Sequence, residues 1–524
     1  MTAAPVKWIS RLWSKPSAMS SESPVRFGER AHAGASRWRK QLANWLPFRA
    51  MADAEILPDQ DMLVARARDL ARNNGVTSGA FQTLVDNVVG IGLRLACYPD
   101  YRALGRDITW AEEWSQQVES LWRTWADTTA CDAAGKYNFH FLTSLVYRSC
   151  IESGEALALP LWLERGDTPW RTCLQLIEVD RLSNPNFTPP TLKLRGGIEL
   201  DDYGKPLTYY VRVMQDWMVI TGWVNVVGPW QAIPAETSWG RKRVIHVLST
   251  DRVDQTRGKP VLSSVIEQFR MLDSYQRTEL QSAIVNSLVA GVIETPLDPQ
   301  AIHELMGGDP NAYLENKNQW RVQLEGGAII PLYPGDKLTP FTPTRPAPQY
   351  SNFVEAVQRQ IGVALGMPYE LTIKDFSKTN YSSARAALNE AWRYFVTRRM
   401  FVANYWMQPV YRLWLEEAIN AGMIDAPGYY ELRPLYERAK WIGPGRGYVD
   451  PIKEAEASQL RMSSMTSTLE KECAEQGDDW MEVLEQAAIE RERLKQLGLY
   501  VEPPPPTPVG SPAEPTVTPV RAKE

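Results

Sequence analysis

The chain has 524 residues, 44% of them hydrophobic and 23% charged, with a formal net charge of −5 and a pI near 5.7. That length allows two to four domains of ordinary globular composition. The acidic balance excludes a protein that coats nucleic acid through an overall basic surface, and no run of about 18 apolar residues is present to cross a membrane as a helix.

Residues 1–55 mix Ser, Pro and isolated Trp with Arg26, Arg30, Arg37, Arg39, Lys40 and Arg49, against only Glu22 and Glu29 in the first fifty. They read as a flexible basic arm with short amphipathic pieces such as Val6 to Trp13. Lys7, Arg11 and Lys15 interrupt any apolar core there, so no secretory signal is expected. The five cysteines, Cys97, Cys131, Cys150, Cys173 and Cys473, are scattered and odd in number, which suits reduced thiols in a cytosolic compartment.

A helical pattern covers 61–89 and stops at Gly90 and Gly92. Residues 110–128 place Trp110, Trp114, Leu121, Trp122 and Trp125 at helical spacing, and core packing is the expected use of that stripe. A further helix is expected over 139–153. From 155 to 250 short alternating runs follow, "ALALPLWL", "CLQLIEVD", "LTYYVRVM" and "RVIHVLS", separated by turn signals such as Asp201-Asp202-Tyr203-Gly204. Residues 261–289 return to a helix, at 1.5 Å per residue roughly 40 Å long. Residues 290–345 read as a small α/β module with two or three strands.

A second helix is expected over 350–366, with Phe353, Val354, Val357, Ile361, Val363 and Leu365 forming an apolar stripe opposite Asn352, Glu355, Gln358, Arg359 and Gln360. Pro368 forces a turn. A polar, Lys-bearing loop comes next, then a very long helix over 383–421 capped by Ser382 or Ser383 and stopped by Gly422. Residues 450–497 are helical and Glu-rich. The tail from 499, "VEPPPPTPVGSPAEPTVTPVRAKE" in its main part, is expected to be disordered or polyproline II.

Chemistry is hard to find. The four histidines, His32, His140, His246 and His303, have no partners at metal-ligand spacing, and the cysteines form no CxxC pair. His246 sits mid-strand in a packing role. No G-x-x-x-x-G-K-[ST] phosphate loop occurs. "GPGRG" at 443–447 lacks the strand–helix context of one, and "GIGLR" at 90–94 is too short for a dinucleotide fingerprint. No catalytic residues, metal ligands or cofactors are assigned. A structural or mechanical protein is expected, not an enzyme.

Several segments together resemble the lambda-type portal proteins of tailed bacteriophages. They are "RARDLARNNGVTSGAFQTLVDNVVGIGLRL" (66–95), "IEVDRLSNP" (177–185), "GGIELDDYGKPLTYYV" (196–211), "VIHVLSTDRVDQTRGKPVLSSVI" (244–266), "LGMPYELTIKDFSKTNYSSARAALNEAWRYF" (365–395) and "WIGPGRGYVDPIKEAEA" (441–457). One local departure is the missing Pro-Gly after Asp251-Arg252, in a loop. The resemblance implies a predominantly helical α+β portal fold assembling as a homo-oligomeric ring, usually a dodecamer, around a central channel. Its parts would be a wing (56–260), a first stem helix (261–289), a clip (290–345) and a second stem helix (350–366). A channel loop (367–383), a long helix with inner wing (384–440), crown-side helices (441–498) and the tail (499–524) would follow.

It implies, further, a virion protein of the capsid portal vertex, assembled in the host cytoplasm, through which double-stranded DNA is packaged and later ejected. Its implied partners are the terminase large subunit, the major capsid protein and a head-completion or neck protein, with no membrane. On residues alone the segment 367–383 is a solvated surface loop. The resemblance makes it the channel loop, with Lys374, Lys378 and Arg385 as cations and Asn380 as a neutral donor, touching phosphates without reading bases. Two rival readings are a nucleic-acid-processing enzyme with an unrecognised site, and a capsid or baseplate block without a channel.

Overall fold

The fold was analysed in a computed structural model that describes residues 32–36, 39–47, 49–166, 168–214, 228–288, 291–294, 337–340, 350–447 and 450–500. It divides into two units, residues 1–51 and residues 52–524. In the first, the described residues form a 3-10 turn at Ala33–Ala35 and a turn closed by the Ala43 amide on the Arg39 carbonyl at 2.9 Å. Most of the expected arm, nearly all of the expected clip and residues 501–524 lie outside the described residues.

The second unit starts with three helices, α1 (Ala52–Ile56), α2 (Gln60–Asn73) and α3 (Gly75–Val88). The single helical pattern expected over 61–89 is therefore broken. Asn74 adopts an extended conformation and its side chain accepts from the Thr77 amide at 3.0 Å, so the Asn-Gly pair restarts the helix instead of continuing it. Strand β1 (Arg94–Cys97) precedes α4 (Ile108–Ala126) and α5 (Phe139–Ser153). The Trp stripe packs as expected. Trp114, Trp122 and Trp125 are buried, and Trp125 donates from Nε1 to the Thr172 carbonyl at 2.8 Å.

Two small sheets follow. The first has the order β3–β2–β8 from β2 (Glu155–Trp162), β3 (Thr172–Ile177) and β8 (Ile245–Leu248). The second, β4–β5–β6–β7, uses β4 (Leu194–Arg195), β5 (Ile198–Leu200), β6 (Pro206–Arg212) and β7 (Trp230–Pro234), all antiparallel. The period-two geometry of β2 divides its side chains between two cores. Ala156 and Ala158 join the large helical core with the Trp residues, whereas Leu157 and Leu159 face a separate core with Ile198, Tyr209, Val211 and Ile233. This strand is the seam between helices and sheets.

At one end of that seam lies a buried polar knot. The Glu155 carboxylate, 0% exposed, accepts from Arg257 Nε at 2.7 Å, the Gly258 amide at 2.9 Å, His246 Nε2 at 3.0 Å and Gln60 Nε2 at 3.1 Å. Arg257 spends its other N–H groups on the carbonyls of Leu182, Gly196 and Val179. Nearby, Asp53 accepts from the Thr256 amide and pairs with Arg195 at 3.0 Å. His246 is thus structural, as expected.

Helix α6 (Ile266–Leu288) follows a 3-10 turn at Val261–Ser264. Within 290–345 the structure describes one antiparallel pair, β9 (Gly291–Glu294) with β10 (Lys337–Pro340). Helix α7 (Tyr350–Ala364) then packs on α6 through Tyr275, whose ring lies 5.6 Å from Tyr350 and 5.4 Å from Phe353. After a short helix α8 (Tyr369–Ile373), one rod runs from α9 (Tyr381–Val402) through a π-helical turn (Ala403–Met407) into α10 (Gln408–Asn420), where Gly422 at φ +72° ends it. Helix α11 (Tyr429–Tyr436) and strand β11 (Ala439–Ile442) close the body, β11 pairing antiparallel with β1. Helices α12 (Pro451–Ser463), α13 (Leu469–Gln476) and α14 (Trp480–Gln496) complete the described chain. Among the described residues no helix is long and apolar enough to cross a membrane.

Candidate nucleic-acid interface

The segment between α7 and α9 is built by a sharp reversal. Ile361, Leu365 and Met367 are buried, and the Met367 amide returns to the Gly362 carbonyl at 2.9 Å. Gly366 makes the turn at φ +67°, a conformation that side chains rarely adopt, and a Cβ there would lie 2.5 Å from the Tyr394 ring. Pro368 cannot donate a backbone hydrogen bond, and it opens α8 as its N-cap, where that donor has no partner to lose.

The segment is not a suspended strand of chain. Helix α8 fills its middle, and Lys374 ends that helix in the left-handed conformation at φ +61°. Asp375 then accepts from the Ser377 amide at 2.9 Å, a local turn that holds its carboxyl below the usual range, chiefly through the Ser377 hydrogen bonds. Asn380 caps α9: its side chain accepts from the Ser383 amide at 2.8 Å while Ser383 Oγ accepts from the Asn380 amide at 3.2 Å. The expected caps, Ser382 and Ser383, are both inside the helix. A reciprocal capping box satisfies two orphan N–H groups where a lone serine cap satisfies one, so the earlier residue wins.

The four expected contact residues have different fates. Lys378 Nζ lies 2.6 Å from Glu355 Oε2, and Arg359 lies 2.6 Å from Oε1 of the same carboxylate. The Glu355 hydrogen bond holds the Lys378 ammonium above its ordinary range and holds Glu355 below its own. Asn380 is committed to its cap. Lys374 is exposed and, among the described residues, has no ion-pair partner.

Arg385 is half-buried one turn into α9, against a cavity of about 120 Å³ lined also by Arg446, Lys453, Arg461, Glu472 and Glu475. Of these, Arg461 is taken by Glu472 at 2.6 Å and Lys453 by Asp450 at 2.8 Å. The structure therefore separates Lys374 and Lys378, on the turn, from Arg385, which joins a second group of cations that sequence reasoning did not assemble. Glu355 was also missed, because its position in the polar stripe carried no sign that it would neutralise the loop.

The expected apolar stripe of α7 is split. Val354, Ile361 and Leu365 are buried, but Phe353 is 53% and Val363 79% exposed, and Glu355 is buried beneath the loop. Ten residues separate Phe353 from Val363, which is 1000° at 100° per residue, so they lie within about 80° of each other on the helix, away from the buried stripe.

Among the described residues no cluster of three or more His, Cys, Asp or Glu could hold a metal ion. The profile of the family described as "Phage portal protein, lambda family" matches residues 39–399. The chain is 34% identical over 492 residues to Portal protein B of Escherichia phage lambda, covering 90% of this chain and 91% of that protein. It is 34% identical over 510 residues to the portal protein of Escherichia phage N15, covering 93% and 95%. A probable portal protein of Halomonas phage phiHAP-1 is 24% identical over 461 residues, covering 86% and 83%. Among solved structures, a chain in the virion of the native gene transfer agent particle aligns at 14% identity and TM-score 0.44, covering 79% of this chain and 92% of that one. With the family profile spanning more than half of its length and two relatives matched nearly end to end, the chain belongs to the lambda family of phage portal proteins.

Proposed function

We propose that copies of this portal protein close head-to-tail into a ring of twelve, at one vertex of a capsid, whose bore passes double-stranded DNA. As a portal protein the chain is a structural component of a virion and not an enzyme. The genome enters through the bore during packaging, driven by a terminase large subunit docked on the segment 290–345, and leaves by the same route. Major capsid protein and a head-completion or neck protein occupy other faces, and assembly takes place in the host cytoplasm.

The observation that carries this reading is the electrostatics of the turn between α7 and α9. Glu355 absorbs Arg359 and Lys378, leaving Lys374 exposed on a rigid left-handed corner. One such cation per subunit, repeated around a ring, gives weak, salt-screened phosphate contacts that hold DNA without trapping it. Exposed Phe353 and Val363 on α7 and Met271 and Leu280 on α6 supply apolar surface for a heterologous contact between neighbours.

The test is the double variant Lys374→Glu with Arg385→Glu. It should form rings with a visible pore in negative stain while packaged DNA falls severalfold. Packaging equal to wild type would remove the contact assignment, and purified protein without a ring-shaped oligomer would remove the channel itself.

A further inference from the structure

Apart from the proposed channel, the sheet β4–β7 holds a charged group with no counterpart among the described residues. Arg212, the last residue of β6, is 0% exposed, and yet among the described residues Nε and Nη1 of its guanidinium have no hydrogen-bond partner. Nη2 donates to Ser183 Oγ at 3.1 Å, an oxygen that also accepts from Trp230 Nε1 at 3.1 Å. The Phe187 and Trp230 rings each lie 5.2 Å from Arg212 Cζ and pack edge-to-face on one another with centroids 5.6 Å apart, so the cation rests against an aromatic pair. Burial pushes its pKa down, opposed by the charge of Asp61. A guanidinium nevertheless stays protonated in a protein, so the charge must be met some other way.

Arg212 lines a cavity of about 320 Å³ with Gln60, Asp61, Asp180, Ser183 and Arg257. Most of these are already balanced. Arg257 and Gln60 serve Glu155, and Asp180 is paired with Arg68 at 2.5 Å. Arg181 adds a second cation beside the site, its Nε donating to the Arg212 carbonyl at 2.8 Å. Among the described residues Arg181, Arg212 and Asp61 have no ion-pair partners, so the Arg212 guanidinium is met by no carboxylate there.

Aromatic faces stabilise a cation but offer no acceptor to its in-plane N–H groups, and a buried donor left without an acceptor is destabilising. The cavity is several times the roughly 30 Å³ share of one water, enough for a small ligand.

We propose that this cavity binds a small oxyanion, a carboxylate or phosphate group, through Nε and Nη1 of Arg212, with Phe187 and Trp230 holding the guanidinium in place. The site is separate from the channel reading and stands whether or not the turn at Lys374 meets DNA.

The test is thermal unfolding of the full chain at fixed ionic strength and pH in sodium chloride, acetate or phosphate. The midpoint should rise by about 2 °C in acetate or phosphate over chloride, because only the folded state binds. A rise with acetate alone identifies a carboxylate site, and a rise with phosphate alone a phosphate site. Arg212→Met should abolish the rise. Asp61→Asn, at an exposed position, should lower the oxyanion concentration for half the effect about threefold by removing a repelling charge. Equal midpoints in all three salts for the wild-type chain would overturn the proposal even if Arg212→Met failed to fold. So would an undiminished rise in Arg212→Met or an unchanged half-effect concentration in Asp61→Asn.

Discussion

Glu155 shows how one side chain organises a domain. It is fully enclosed, and four donors from three separate segments converge on it, which overcomes the cost of burying its charge and holds its pKa down at about 2. Since the folded value lies below the ordinary 4.5, its contribution is complete above pH 4.5 and disappears as the pH falls through about 2. Replacing Glu155 by Gln leaves Arg257 charged and buried, and chemical denaturation should report a loss of about 3–5 kcal/mol.

Glu119 has the opposite sign. Burial, with added repulsion from Asp479 and Glu482, raises its pKa to about 7, against a hydrogen bond from the Cys97 amide at 2.6 Å. Folding therefore favours its protonated form, and the stability that it contributes below pH 4.5 is lost as the pH rises through about 7. A Glu119→Gln chain should lack that decline, so the stability difference between wild type and variant should change steadily between pH 4.5 and 7 and be flat above it. Neither carboxylate stood out in the sequence, because desolvation depends on what other segments bring to a residue and not on its neighbours in the chain. His246 was legible, because its alternating strand context already fixed which face it shares.

At the scale of elements, boundaries written in local chemistry were legible. The helix over 139–153 and the stop at Gly422 depend on nearby residues alone, and they appear where the sequence put them. The restart of α3 at Asn74 and the start of α9 at Asn380 were missed, because each depends on a side chain accepting from an amide three residues on. Long-range anchoring was equally hidden. Arg399 on α9 donates to the Asn87, Val88 and Pro444 carbonyls, closing the C-terminal end of α3 with a cation, and its pKa falls to about 10 through burial. "GPGRG" thus serves as a structural corner.

The reversal at Gly366 can be tested directly. Gly366→Ala meets both the positive φ and the Tyr394 ring, and a loss of about 1–3 kcal/mol is expected in thermal or chemical unfolding. A Gly366→Ala, Tyr394→Ala chain should recover the steric part of it. The candidate interface was legible as a place, since Gly-Met-Pro marks the turn. Its charge balance was not, because Glu355 reaches the loop from the preceding helix, 23 positions before Lys378.

On the scale of the molecule, the order of elements was readable from periodicity and the family from motifs spread across the chain, but the pairings between distant segments were not. Strand β1 has four residues and no nearby partner, and it is completed by β11, Arg94 facing Ile442 and Cys97 facing Ala439. The Trp441 ring on β11 also seals the Trp122 and Tyr411 rings at 5.8 and 6.1 Å. A chain ending at residue 500 should therefore still form soluble rings, whereas one ending at residue 436 should aggregate through the exposed β1 edge and uncovered core. Sedimentation of the two truncations distinguishes these outcomes.

That same pairing sets a timetable for biosynthesis. A ribosome adding roughly 5–20 residues per second needs about 20–70 s to travel the nearly 350 positions between the two strands. For all of that interval the early strand waits as an open template beside its sisters on neighbouring polysomes. Correct assembly of the body thus depends on keeping nascent chains apart until the late strand emerges.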